Sequence, residues 1–226
     1  MSRLFLARNG AMLLDGLDMT LSPTGVSALI GPNGAGKSVL LRVLAGLIAT
    51  DAGRVALPAP MRGRVGLVFQ RPVLLRRNVR GNLRHTLRLA RHPRRQRAER
   101  VTELLALGGL TDLADRPARL LSGGQAQRLA IVRALAADPA LLLADEPTAH
   151  LDPHATYAVE TLLARIAASG TKVVIVSHDQ GQVARLAQEV AFLHRGRCFE
   201  VTPMPQFFQS ACSPEARAYL DGTILL

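Results

Sequence analysis

Four short apolar runs punctuate the chain: Val26 to Ile30, Val65 to Phe69, Leu141 to Ala144 and Val173 to Val176. The last two are unbroken, as expected of parallel strands covered on both faces. Between the runs lie stretches with apolar residues at helical spacing, namely Ser38 to Ile48, about Arg94 to Leu107, Gly123 to Ala137 and Pro153 to Ala168. In the third, Leu129, Val132 and Ala136 keep one face, and Asp138-Pro139 ends the helix. This order predicts an α/β fold with a doubly wound parallel sheet. From about Arg71 to Ala134 no convincing strand occurs, which predicts a helical lobe inserted into the sheet.

The chain has 226 residues, 48% hydrophobic and 20% charged, enough for one domain with a full core. No window approaches the roughly 18–20 apolar residues that cross a bilayer. The opening MSRLFLARNG has too short an apolar run for a secretory signal. Cys198 and Cys212 match neither a disulfide framework nor a metal-ligand spacing, so a reducing, cytoplasmic setting is expected. The net charge of +11 is concentrated. Arg71 to Arg100 holds eleven arginines and one acid, Glu99, while the remainder balances 17 bases against 16 acids. Such a patch suits a polyanion, an anionic membrane surface or simply a solvated helical face.

The candidate chemistry begins with Gly31, Pro32, Asn33, Gly34, Ala35, Gly36, Lys37 and Ser38, which fit G-x-x-x-x-G-K-[ST] between a predicted strand and helix. Glycines let successive N–H groups turn inward around phosphate oxygens, and the helix start adds a positive dipole end. Lys37 suits the β- and γ-phosphates and the Ser38 hydroxyl suits Mg²⁺. A second feature, Asp145-Glu146, ends a buried strand with two adjacent carboxylates. Asp145 suits the Mg²⁺ shell and Glu146 the polarising of an attacking water. A third, Leu121 to Gln125 (LSGGQ), opens a helix that Ser122 can cap, with Gly123 and Gly124 leaving its first N–H groups bare for an anion.

Together these motifs resemble the nucleotide-binding subunits of ATP-binding cassette transporters, over essentially the whole chain and in the family's order. Gln70 matches the Q-loop residue, Ala149-His-Leu-Asp152 the D-loop, and His178 the switch histidine that contacts the γ-phosphate. The resemblance implies a P-loop NTPase (RecA-like) core with a mostly parallel sheet, an N-terminal antiparallel β subdomain and an inserted helical signature subdomain. It implies one ABC ATPase domain over residues 1–226, with a core of 1–70 and 135–226 and a lobe of 71–134. ATP and Mg²⁺ are the implied cofactors, with Ser38, Gln70 and Asp145 as the metal set and Lys37, Glu146 and His178 as the catalytic set. In that family two chains pair head to tail, so Ser122, Gly123, Gly124, Gln125 and Asp152 would complete a partner's nucleotide site. Membrane permease subunits and a periplasmic or extracellular solute-binding protein are implied partners, no nucleic acid is expected, and the implied location is the cytoplasmic face of the membrane. Three departures stand out. Val39 replaces the usual Thr after Ser38; Arg8 falls where the family stacks an aromatic on adenine; and the regulatory barrel of many sugar and molybdate import ATPases is not expected. Arg8 could stack through its guanidinium plane.

Two segments are similar to the tungstate importer ATPases. One runs from Val68 to Arg77 and on through Asn78 to Leu83. The other comprises Val190 to Arg197, Phe207-Phe208 and Tyr219 to Leu225. A tungstate importer is therefore expected, with phosphate, molybdate and amino-acid importers, or an exporter, as neighbours. A nucleic-acid-associated cassette is disfavoured: no long coiled coil separates the phosphate loop from Ser122, and the basic segment lacks aromatics for base stacking.

Overall fold

The computed structural model describes residues 1–223. The chain opens with β1 (Ser2–Arg8) and β2 (Ala11–Leu17), followed by β3 (Val26–Ile30), α1 (Lys37–Leu44), β4 (Ala52–Arg54) and β5 (Val65–Val68). Three helices follow without an intervening strand: α2 (Val79–Leu89), α3 (Arg97–Leu107) and α4 (Gly123–Leu135). The chain then alternates through β6 (Leu141–Asp145), α5 (Pro153–Ala168), β7 (Lys172–Val176), α6 (Gln180–Leu186) and β8 (Glu189–His194). It finishes with β9 (Arg197–Pro203), α7 (Gln206–Ser210) and α8 (Pro214–Leu220). Ile224 and Leu225, the end of one tungstate-like segment, lie outside the described residues.

The main sheet has the order β5-β6-β7-β3-β8-β9. Every neighbouring pair is parallel except β8–β9, which is antiparallel. A separate antiparallel sheet of order β2-β1-β4 is built from the N-terminal strands. The sheet is thus mostly parallel, with one antiparallel edge strand joined to β8 through a turn at Arg195-Gly196.

Strand residues alternate between faces, and here each face meets its own core. Ala28, Ile30, Leu142, Ala144, Val173, Ile175, Val190 and Phe192 pack with the buried sides of α2 to α6. Leu29, Leu141, Leu143, Val174, Val176, Ala191 and Leu193 pack with α1 and with Leu4, Leu6, Leu14 and Leu17 of the N-terminal sheet. Burial on both faces is why β6 and β7 read as unbroken apolar runs over Leu141 to Ala144 and Val173 to Val176.

Local structure departs from the sequence expectation at helix ends. The helix expected over Ser38 to Ile48 stops at Leu44, because Gly46 turns left-handed at φ 71°. The expected run from Arg94 begins as a 3-10 turn, Arg94–Gln96, after Pro93, and becomes α-helix only at Arg97. Helix α2 hides in the arginine-rich interval. Asn78 caps it by accepting the Gly81 N–H at 2.7 Å. Val79, Leu83 and Leu87, at i, i+4 and i+8, are fully buried.

Candidate functional site

Four neighbouring strands deliver their carboxyl ends to one edge of the sheet, the place where open α/β folds bind ligands. The phosphate loop follows β3, Gln70 follows β5, Asp145 and Glu146 stand at the end of β6, and Ser177 and His178 follow β7. The loop needs its glycines for conformation and for space. Gly31 has φ 139°, and a Cβ there would lie 1.9 Å from the Leu193 carbonyl oxygen. Gly36 has φ 96° and leads into α1.

Lys37 is buried, and its Nζ donates to the carbonyls of Gly31 at 2.7 Å and Pro32 at 2.8 Å. Burial pulls its pKa below the usual lysine value, while the charges of Glu146 and Asp145 oppose that shift. The ammonium therefore lies inside its own cradle, held by neutral oxygens. The Ser38 hydroxyl donates to Asp145 at 2.9 Å, pairing an oxygen from the start of α1 with one from the end of β6. Burial raises the Asp145 pKa, and the Ser38 hydrogen bond acts the other way. A buried ammonium beside a serine–aspartate oxygen pair fits a polyphosphate bearing a hard divalent cation. Val39 turns its side chain onto the second core, so a methyl group takes the place of a hydroxyl at a packed position.

Glu146 is the hub. Gln70 Nε2 donates to its Oε2 at 3.1 Å, and His178 Nδ1 lies 3.4 Å from its Oε1. Its backbone takes φ 43°, unusual for a non-glycine residue, while its N–H donates to the Val176 carbonyl at 3.1 Å. Residues from β5, β6 and β7 thus bracket one carboxylate at the strand ends. Arg8, at the end of β1, pairs with Asp51 at 2.8 Å and also donates to the carbonyls of Ala7 and Ala49. Those contacts fix the plane of the guanidinium at the rim of the small sheet. The Asp51 carboxyl is held below its usual range first by the Ala7 N–H and then by Arg8.

Ser122 and Gln125 cap α4 reciprocally. The Gln125 N–H donates to Ser122 Oγ at 3.3 Å, and the Ser122 N–H donates to Gln125 Oε1 at 3.0 Å. Gly124 is a contact glycine, because a Cβ would come 2.5 Å from that of Ala155. Asp152 caps α5 by accepting the Ala155 N–H at 2.8 Å, so the starts of α4 and α5 lie side by side. Among the described residues, no hydrogen bond or ion pair joins Ser122, Gly123, Gly124 or Gln125 to the phosphate loop, Glu146 or His178. Ser122→Ala should cost about 1 kcal/mol through the lost cap. Thermal melting should show that as a fall of roughly 2–4 °C.

One connection has no local signal in the sequence. Gln182 is fully buried in α6. Its Nε2 donates to Thr148 Oγ1 at 2.7 Å and approaches Glu160 at 3.5 Å. Arg185 holds the same Glu160 carboxylate in a bidentate pair at 2.8 and 2.7 Å. The loop after Glu146 is thereby tied from behind to the helix after His178.

A family model described as ABC transporter matches residues 14–149. The chain is 38% identical to the methionine import ATP-binding protein MetN of Leifsonia xyli subsp. xyli (strain CTCB07), over 94% of this chain and 66% of that protein. It therefore spans about two thirds of that relative's length. It is 34% identical to the phosphate import ATP-binding protein PstB 2 of Natronomonas pharaonis, over 96% of this chain and 84% of the other. Among solved structures, cbiO1 from Clostridium perfringens, part of the ABC transporter complex cbiONQ, superposes with a TM-score of 0.85 at 28% identity. That match covers 92% of this chain and 89% of the other. The ATP-binding cassette MJ0796, a dimer bound to ADP and phosphate after hydrolysis, gives a TM-score of 0.76 at 25% identity, covering 90% and 97%. The chain belongs to the ABC transporter family, whose ATP-binding cassettes bind ATP with Mg²⁺ and hydrolyse it in support of transport.

Proposed function

We propose that this chain is the ATP-hydrolysing subunit of an importer, works as a head-to-tail homodimer on the cytoplasmic face of the membrane, and powers uptake of an oxyanion, tungstate foremost, through a separate permease. The observation that carries the ATPase role is the bracketing of Glu146 by Gln70 and His178, next to the Ser38–Asp145 pair and Lys37.

Phosphoryl transfer asks a protein mainly for positioning and charge stabilisation. The glycine loop wraps the phosphates in N–H groups, and Lys37 exchanges its two carbonyl partners for phosphate oxygens. Ser38, Asp145 and Gln70 would hold Mg²⁺, which neutralises charge on the phosphates when bound. Glu146 accepts a proton from the attacking water, oriented from one side by Gln70 and from the other by His178. The capped start of α4, remote from the chain's own loop in hydrogen bonding, offers its bare N–H groups to the γ-phosphate of a partner. A dimeric relative bound to ADP and phosphate supports that arrangement. Closure around ATP and reopening after hydrolysis form a two-state element that a permease can follow. A solute-binding protein on the far side of the membrane would deliver the solute. Residues 1–70 and 135–226 act as the nucleotide-binding core and 71–134 as the lobe that answers to the permease.

The oxyanion assignment draws on the segments from Val68 to Leu83 and Val190 to Arg197, which are similar to tungstate importers, and on the phosphate-import relative. Cellular tungsten and molybdenum, measured by elemental mass spectrometry in a deletion strain at submicromolar oxyanion, test it. Tungsten lost on deletion and restored by wild type but not by Glu146→Gln is the expected result. Unchanged metal together with a loss of methionine or phosphate uptake would replace tungstate by that solute.

A further inference from the structure

We infer that the helical lobe carries a second anion site, a trough of guanidinium groups that takes the phosphates of anionic phospholipid at a membrane surface. Helix α2 buries Val79, Leu83 and Leu87 and turns the opposite side, with Arg84 and Arg88, to solvent. The 3-10 turn supplies Arg94 and the start of α3 supplies Arg97, and these four arginines together with Arg77 line a hollow of about 700 Å³. Arg77 also lines a neighbouring hollow of about 670 Å³, together with Arg76 and Arg119. The two hollows share Arg77, and between them their linings hold seven arginines and no carboxylate.

These charges are not spent inside the molecule. Of the eleven arginines from Arg71 to Arg100, only Arg80 (with Asp115) and Arg100 (with Glu103 and Asp138) make ion pairs among the described residues. The rest of the chain is nearly neutral, so the imbalance belongs to this surface. Guanidinium forks match phosphate oxygens two at a time and are more weakly hydrated than ammonium groups, and the lobe segment contains no lysine.

Three features favour a lipid surface as the source of that phosphate. Charge continues beyond the trough onto exposed Arg71, Arg91 and Arg95, forming a field broader than a small-anion pocket. Exposed Leu89 and Val73 stand among the arginines, the mixture of basic and apolar groups that an interface accommodates. Finally, the segment holds no Phe, Tyr or Trp on which nucleic-acid bases could stack.

The proposal is independent of the transported solute, and its test involves no uptake. The purified, nucleotide-free chain is sedimented with vesicles of phosphatidylcholine alone and of phosphatidylcholine mixed with phosphatidylglycerol. Binding is expected only to the mixed vesicles and should weaken steeply as salt rises. The variant Arg84→Glu/Arg88→Glu/Arg94→Glu should bind them about a hundredfold more weakly or worse, at about 1 kcal/mol per basic residue. The corresponding triple lysine variant should keep most of the binding. None of the three arginines makes an ion pair, so nucleotide binding of both variants should match wild type; the lysine variant should also melt like wild type, and the glutamate variant a few degrees lower, because Arg88 stands in the last turn of α2. Equal binding to both vesicle types, or undiminished binding by a folded glutamate variant, would overturn the proposal. Displacement by inorganic pyrophosphate at matched ionic strength would replace the lipid surface by a small phosphate ligand. Trough-dependent binding of poly-glutamate that exceeds binding to the mixed vesicles would replace it by an acidic protein segment.

Discussion

Glu146→Gln should keep ATP and lose turnover by about two to four orders of magnitude, the usual worth of a positioned general base. The amide is nearly isosteric, so the contact with Gln70 at 3.1 Å and the approach of His178 at 3.4 Å can persist in altered polarity. What disappears is the capacity to take a proton from water. On the function proposed above, nucleotide affinity rests on Lys37, the loop N–H groups and the Ser38–Asp145 pair, and the substitution alters none of them. The variant should therefore accumulate as an ATP-bound dimer, visible by size-exclusion chromatography with ATP and Mg²⁺, while phosphate release stays near background. Turnover at the wild-type rate would remove Glu146 from the proton-accepting role.

Gly31→Ala should damage both folding and nucleotide binding. A left-handed φ of 139° is strained for any other residue, and the added methyl group would meet the Leu193 carbonyl oxygen at 1.9 Å, where β8 cannot retreat without breaking its pairing with β3. Backbone strain and overpacking together amount to about 3 kcal/mol or more. In a chain of this length that is a fall of roughly 6–12 °C in melting temperature. Gly34→Ala is the matched control. Its φ is 82° and nothing lies within 4 Å of the new Cβ, so it carries strain without collision and should melt distinctly higher than Gly31→Ala. Equal melting of the two by calorimetry would show that the loop relaxes around the methyl group.

Much of the site was legible because its parts are contiguous and follow strands. The phosphate loop, Asp145-Glu146 and His178 each occupy a strand end, and β6 and β7 carry unbroken apolar runs, Leu141 to Ala144 and Val173 to Val176, because both faces are buried. Less legible were the features set by distant partners. Lys172, the second of two lysines, is almost wholly buried. It donates to the Thr24 carbonyl at 2.9 Å, to the Ser27 hydroxyl, and approaches Glu189 at 3.4 Å, so its partners lie at other strands' ends. Gln182 and Glu160 are 22 residues apart, and neither belongs to a phosphate-binding pattern, yet both tie the loop after Glu146 to the helix after His178. In α2 three arginines and other polar residues interrupt a helical apolar stripe whose buried part is only three residues. The adenine-facing role expected of Arg8 stays a proposal, with the side chain anchored to Asp51 in the structure.

Leu142 and Leu143 are adjacent in the chain yet are buried in different cores, on opposite sides of the same strand. The sheet is therefore a partition, with the signature helix on one side and the N-terminal sheet and α1 on the other. The candidate nucleotide site lies along its carboxyl rim, where the two compartments meet. A nucleotide held there grips groups anchored in both, so melting either compartment releases it. Bound nucleotide must then shift both compartments towards the folded state together, by mass action, although it touches only the rim between them.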